Sequence, residues 1–159
     1  MRELEYPFDS NYILTNKKKL RRRLLADGSS RIHKRIAILG MSTTHDIKEI
    51  LELFLLNYGI EPAFYESEYA QGWNDALFDN PELVAFKPDI IFIHTSSRNI
   101  TDWPAVTDSR DTVNGKLESC CSRYRQLWEK IEARYACPVI QNNFEHPFWR
   151  LMGNRDAWD

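Results

Sequence analysis

Cysteine is scarce in this sequence. Three are present, Cys120 and Cys121 side by side and Cys137 alone. An odd count without C-x-x-C spacing argues against a disulfide framework and a zinc site, and points to a reducing, cytoplasmic compartment. Long apolar runs are missing too. The uncharged run at residues 90–93 is far shorter than the ~20 residues a helix needs to cross a bilayer, so no membrane span is expected. The first ten residues are acidic and aromatic rather than basic and apolar, so no secretory leader is expected. Neither sign of charge dominates. Lysine and arginine total 21 against 23 acidic residues, a net charge of −2, which gives no chain-wide basic field for nucleic acid. Internal repeats and low-complexity segments are also absent.

The remaining composition fits one globular domain. The chain has 159 residues, 43% hydrophobic and 28% charged. A domain of this length buries ~70% of its unfolded surface and needs no covalent staple.

Residues 1–33 form an arm. Within it, residues 15–26 carry Lys17, Lys18, Lys19, Arg21, Arg22 and Arg23, with Leu20, Leu24 and Leu25 at helical spacing and Gly28 as a C-terminal stop. Such a run is either a patch for nucleic acid or anionic lipid, or a solvated helix face whose leucines dock on the domain. The aromatic partners of a nucleic-acid patch are missing, which favours the second reading and leaves the cations in water.

Residues 34–159 alternate strand and helix. Residues 35–40 read as a buried strand ending on Gly40. Residues 46–58 follow as a helix with Ile47, Ile50, Leu51, Phe54 and Leu55 on one face, capped by Thr43 or Thr44 and stopped by Gly59. Residues 61–65 are a second strand, and 74–86 a weaker helix interrupted by Pro81. Residues 89–95 are a third strand, with 90–93 expected to be buried on both faces. After a polar loop, Val113, Leu117, Cys120, Tyr124, Leu127, Trp128 and Ile131 mark a long amphipathic helix, and 137–141 are a fourth strand. This alternation predicts a flavodoxin-like α/β/α domain whose parallel strands lie in the order two, one, three, four. Residues 148–159 show no fifth strand. A sheet of this kind usually continues, so a truncation or domain boundary near Asp159 is expected.

Ligands of such sheets sit beyond the carboxyl ends of the strands. Four segments converge there. Gly40-Met41-Ser42-Thr43-Thr44 follows strand one and faces the positive end of a helix, which suits an anion or a nucleophilic hydroxyl, or helix capping alone. It is neither a Walker loop nor G-x-G-x-x-G. The segment 66–74 holds Tyr69, Gln71, Gly72, Trp73 and Asn74, a pocket wall or a simple turn. The segment 94–99 ends on Arg98 and Asn99. The segment 141–147 packs Asn142, Asn143, Glu145 and His146 into a few residues, which favours a ligand-facing role. Ser42 and Asn99 are expected to approach most closely, with Asn143 orienting an anion and Glu145 pairing with Arg98 or capping a turn.

Three stretches carry a resemblance. They are KRIAILGMSTTHDIKEILELFLLNYGIEPAFYESEYAQ, FKPDIIFIHTSSRN and PVIQNNFEHPFWRLMGN, in that order within roughly residues 20–154. Together they resemble the N-terminal domain of FkbH-like proteins, the last stretch through its N-N-F-E-x-P…G-N pattern. The resemblance implies a second, C-terminal half of the haloacid dehalogenase class, with a D-x-D-x-T motif and magnesium. This chain has no D-x-D-x-T, so no cofactor is expected in it. The resemblance also implies glyceryl transfer: a glyceryl unit from a phosphorylated glycolytic intermediate is loaded onto an acyl carrier protein in secondary metabolism. The expected partners are therefore that carrier and the C-terminal half, with no nucleic acid and no membrane.

Domains of this family are similar to SGNH hydrolases. The likeness places Ser42 as the nucleophilic serine, Gly72 as the glycine after strand two and Asn99 as the asparagine after strand three. Two features depart from that pattern. Met41 stands where an aspartate precedes the serine, and the D-x-x-H pair is missing. His146 is the one base candidate at the strand-four rim. Three readings follow: a substrate- or carrier-handling domain with Gly40, Thr43, Thr44, Gly72, Asn99, Asn143, Glu145 and His146 around the ligand; an esterase using Ser42; or a non-catalytic scaffold whose basic helix docks an acidic carrier.

Overall fold

A computed structural model describes residues 1–78 and 80–145. A short 3-10 turn at Arg2–Leu4 leads into α1 (Ser10–Leu25), β1 (Ile32–Gly40), α2 (His45–Asn57), β2 (Ile60–Glu66), α3 (Gly72–Leu77), α4 (Pro81–Phe86) and β3 (Ile90–His94). A second 3-10 turn (Ser97–Asn99), α5 (Arg110–Tyr135) and β4 (Val139–Gln141) complete the described elements. The four strands are parallel in the order β2-β1-β3-β4, as the alternation of elements predicts. Helices flank the sheet in a three-layer α/β/α arrangement of flavodoxin type. The order reverses between β1 and β3, so the crevice at their carboxyl ends is the fold's natural ligand position.

One face of the sheet presents Ala37, Leu39, Ile91 and Ile93, which pack against Ala76 of α3, Leu83 of α4, and Tyr124, Leu127 and Ile131 of α5. The expectation that β3 is buried on both faces is corrected here. Its burial alternates, with Ile91 and Ile93 fully covered and Ile90 and Phe92 only partly so. The cause is coverage: α2 contacts β2, whereas α3, α4 and α5 cover the Ile91 side.

Helix α2 is sandwiched between β2 and α1. The residues it buries most deeply are therefore Leu53 and Leu56, which meet Leu4, Ile13, Leu20 and Leu24. The single apolar face expected from Ile47 to Leu55 becomes two faces, because the helix has neighbours on both sides. Pro81 divides the weak helix expected over residues 74–86. It opens α4, whose N-cap Asn80 accepts from the Glu82 and Leu83 amides. In α5 the expected stripe is buried only in its second half, and Leu117 is exposed.

The arm is part of the core. Asp9 caps α1 by accepting from the Tyr12 amide, so the helix begins five residues before the expected start. Leu20 and Leu24 are buried as expected. Leu25 is not, and Ile13 takes the third buried place. The cations are not all in water either. Lys17 pairs with Asp46 at 2.7 Å and Glu49 at 2.5 Å, Arg21 with Glu52 at 2.8 Å and Arg23 with Glu3 at 2.7 Å. These acids lie on α2 and the first turn, which the leucine contacts bring alongside. Lys18, Lys19 and Arg22 remain exposed.

Candidate functional site

Strand β1 hands its chain to the crevice at Met41. The Met41 amide donates to the His94 carbonyl at 3.1 Å, continuing the β1–β3 ladder by one residue. The Met41 carbonyl accepts from Asn99 Nδ2 at 3.1 Å, while Asn99 Oδ1 accepts from the Ser96 amide at 2.8 Å. Asn99 therefore holds the peptide bond that joins Met41 to Ser42, and it does so from the far side of the β1–β3 junction. The Ser42 side chain is half-buried, and its hydroxyl has no hydrogen-bond partner among the described residues. Thr43 is exposed beside it.

Two glycines let this corner close. A Cβ on Gly72 would stand 2.7 Å from the Gly40 carbonyl oxygen and 2.9 Å from the Gly40 and Leu39 carbonyl carbons. A Cβ on Gly40 would stand 2.7 Å from Thr44 Cγ2 and 2.9 Å from the Ser42 carbonyl oxygen. The start of α3 thus rests directly on the end of β1, a backbone-to-backbone contact only glycine permits.

Thr44 occupies the N-cap position of α2, but its side chain caps nothing. Its hydroxyl donates instead to Glu66 at 2.8 Å, and Lys48 donates to the same carboxylate. Thr44 has φ −117° and ψ −7° rather than the extended backbone of a capping residue, and its side chain is turned to the carboxylate at the end of β2. Burial alone would raise the Glu66 carboxyl, yet the donors from Lys48 and Thr44 outweigh it and hold the group below its usual range. The first helical bond of α2 runs from the Lys48 amide to the Thr44 carbonyl at 2.9 Å, so the His45, Asp46 and Ile47 amides have no partner within the helix.

The strand-four loop is fastened to the strand-three loop through Asn142 and Glu145. Asn142 Oδ1 accepts from the Thr95 amide at 2.8 Å, and Asn142 Nδ2 donates to the Thr95 carbonyl at 2.7 Å. The Thr95 hydroxyl donates to the Asn142 carbonyl at 3.1 Å. Glu145 accepts from the Ser96 hydroxyl at 2.8 Å, the Ser97 amide at 3.0 Å and the Ser97 hydroxyl at 2.9 Å. The Ser96 hydroxyl, followed by backbone donors, pulls the Glu145 carboxyl down to about 2.

The expected residues therefore divide. Gly40, Ser42, Thr44, Gly72 and Asn99 share one corner of the molecule. Glu145 joins them as a tether rather than a ligand-facing group. It caps the Ser97–Asn99 turn, the second of the two roles expected for it. Asn143 is exposed, and the amide fixed at the rim is that of its neighbour Asn142. His146 lies outside the described residues. Of the described histidines, His94 stacks beside Phe92 with ring centroids 6.3 Å apart, and His45 faces Glu49 and Glu66 at 3.8 and 4.0 Å. No described imidazole is hydrogen-bonded to Ser42. Two open cavities, about 670 and 440 Å³, lie elsewhere: one beside Leu24, Asn57 and Gly59, the other beside His33, Glu61 and Asp89, where β1 and β2 begin. Concavity alone does not select the strand-end corner; convergence of donors does.

No family model matches the chain, and no curated protein does. The fold is similar to a solved structure, the N-terminal part of the protein BF1531 from Bacteroides fragilis, described as containing a phosphatase domain complexed with Mg. The TM-score is 0.67 at 20% sequence identity, over 89% of this chain and 36% of that one. The likeness establishes the fold, and the chain spans about a third of that structure's length.

Proposed function

We propose that this chain is the substrate- or carrier-handling domain of an FkbH-like enzyme, holding an acyl or glyceryl group at the crevice between β1 and β3. Phosphoryl chemistry belongs to a separate haloacid dehalogenase-type half. The observation that carries the reading is the state of Ser42. It sits between the Gly72 contact and the Asn99 tether, beside the free amides of α2, yet no described base touches its hydroxyl. A serine needs a positioned base to attack an ester at neutral pH. The same corner still offers amide donors to a carbonyl or carboxylate. Binding of an acyl carbonyl or carboxylate is what the described groups support.

The test uses a glyceryl thioester and a short-chain aryl ester. The thioester should bind saturably, lose affinity on Asn99→Ala, and be recovered intact. The aryl ester should show no turnover above background. A burst of product with a covalent adduct on Ser42, abolished by Ser42→Ala, would establish the esterase reading instead.

A second reading concerns the carrier. Lys18, Lys19 and Arg22 stand exposed on α1 without an ion pair among the described residues, while their neighbours are neutralised by α2. This free basic strip suits an acidic acyl carrier protein. Carrier affinity should fall as salt rises and should drop on Lys18→Glu.

A further inference from the structure

Four aromatic side chains meet where α3, α5 and the strand-four loop converge. Tyr124 is the hub. Its ring centroid lies 5.3 Å from Trp73, 5.5 Å from Phe144 and 6.4 Å from Trp128. The cluster adjoins the crevice through the backbone. Trp73 follows Gly72, which rests on Gly40, and Phe144 precedes Glu145, which is fastened to Ser96 and Ser97.

Tyr124 is 6% exposed, and its hydroxyl has no hydrogen-bond partner among the described residues. A buried donor left unpaired is costly, and buried tyrosine hydroxyls normally find an acceptor. Of the two indole N–H groups in the cluster, that of Trp128 donates to Gln141 Oε1 at 2.8 Å. A water is a poor answer here, because it needs two to four polar partners and the surroundings are aromatic faces. The outer rings reach the surface, Phe144 at 37% and Trp128 at 39% exposure, while the Tyr124 hydroxyl lies beneath them, so a ligand reaches it by displacing one of these rings. Arg123, stacked 5.1 Å over the Trp73 ring, marks the outer edge.

We infer that this cluster is a binding subsite for an apolar group carrying a neutral carbonyl, whose oxygen accepts the Tyr124 hydroxyl. The rings supply flat apolar walls, and the buried unpaired hydroxyl supplies orientation. Such a site rejects an otherwise similar group lacking the acceptor, because the donor then stays unpaired. Burial holds the Tyr124 phenol up at about 12, so it remains a donor throughout the neutral range. The subsite extends the crevice proposed above and rests on that reading for its place in a larger ligand.

Acetophenone and ethylbenzene make the test, being nearly the same shape with and without the carbonyl. Binding is followed at the Trp73 indole N–H resonance of the full chain. Acetophenone should bind at least about fivefold more tightly, near 1 kcal/mol by the usual conversion. In Tyr124→Phe that preference should vanish while the melting temperature holds or rises, since the hydroxyl lost had no partner. Equal binding of the two probes, a preference that survives Tyr124→Phe, or a clearly lower melting temperature would each overturn the inference. Asn99→Ala separates the two readings. It should weaken glyceryl-thioester binding, while acetophenone still binds more tightly than ethylbenzene. A crevice that fails its own test would leave the Trp73 response intact.

Discussion

Asn99 donates its side-chain amide to the carbonyl of Met41 at 3.1 Å, across the junction where the strand order reverses. The bond crosses between two connections that share no helix. It fixes the peptide that presents Ser42, and its other end holds Ser96. One side chain thus sets the spacing of the β1 and β3 loops.

Replacing Asn99 by alanine should therefore loosen both loops together. The Met41 carbonyl and Ser96 amide each lose a partner in a half-buried corner, a cost of about 1–3 kcal/mol. Denaturant unfolding measures the loss. Asn99→Asp should not rescue it, because a carboxylate retains the acceptor for Ser96 but faces the Met41 carbonyl without a donor. Stability equal to wild type in either variant would remove Asn99 from this role.

Two glycines should respond in opposite directions. Gly72→Ala places a methyl group against the Gly40 backbone, where nothing flexible can yield, so α3 must shift at a cost of about 1–3 kcal/mol. Gly115, inside α5, has nothing within 4 Å of an added Cβ. Gly115→Ala should raise stability by about 0.5–1 kcal/mol through helix propensity alone. Melting curves of the two variants on one chain decide the matter.

The contrast shows what the sequence made legible. Strand order followed from the alternation of elements, because parallel strands and right-handed crossovers leave few arrangements. Gly72 and Asn99 were identifiable as rim residues from their place after strands. Their actual partners were not. Asn142 and Asn143 read alike in sequence, and only the register of β4 decides which one meets Thr95. Thr44 looked like a cap because Glu66 lies 22 residues away and approaches only once β2 pairs with β1. Lys17 and Arg21 looked solvated for the same reason: their acids belong to a helix that the leucine stripe recruits.

The arm should behave as core, not as an appendage. Leu20 is fully buried against α2, so Leu20→Ala should cost about 2–5 kcal/mol. Lys18, two residues away and exposed, should tolerate alanine within about 0.5 kcal/mol. Removing residues 1–28 should lower the melting temperature sharply by uncovering Leu53 and Leu56. An unchanged melting temperature in the truncated chain would contradict the packing of α1.

Acid should release the strand-four loop in a defined window. Glu145 is held to about 2, chiefly by the Ser96 hydroxyl and then by backbone donors, against an ordinary value of 4.5. A carboxyl depressed by folding contributes stability that is complete above its unfolded value and declines as pH falls through the folded one. The tether should therefore be intact at pH 6, weaken below about 4.5, and be largely lost near pH 2. Other carboxyls are also held below their ordinary values, Glu66 and Asp89 among them, so the wild-type curve alone does not isolate the tether. Glu145→Gln isolates it, because the amide keeps an acceptor for Ser97 but carries no charge to protonate. Hydrogen exchange at the Ser97 amide reports the bond directly. Protection in the wild type should exceed that in the variant at pH 6, and the gap should narrow as pH falls to 3. A gap independent of pH would mean that shape, not charge, fastens the loop. No gap at pH 6 would mean that the hydroxyls of Ser96 and Ser97 hold the loop equally well with a neutral acceptor.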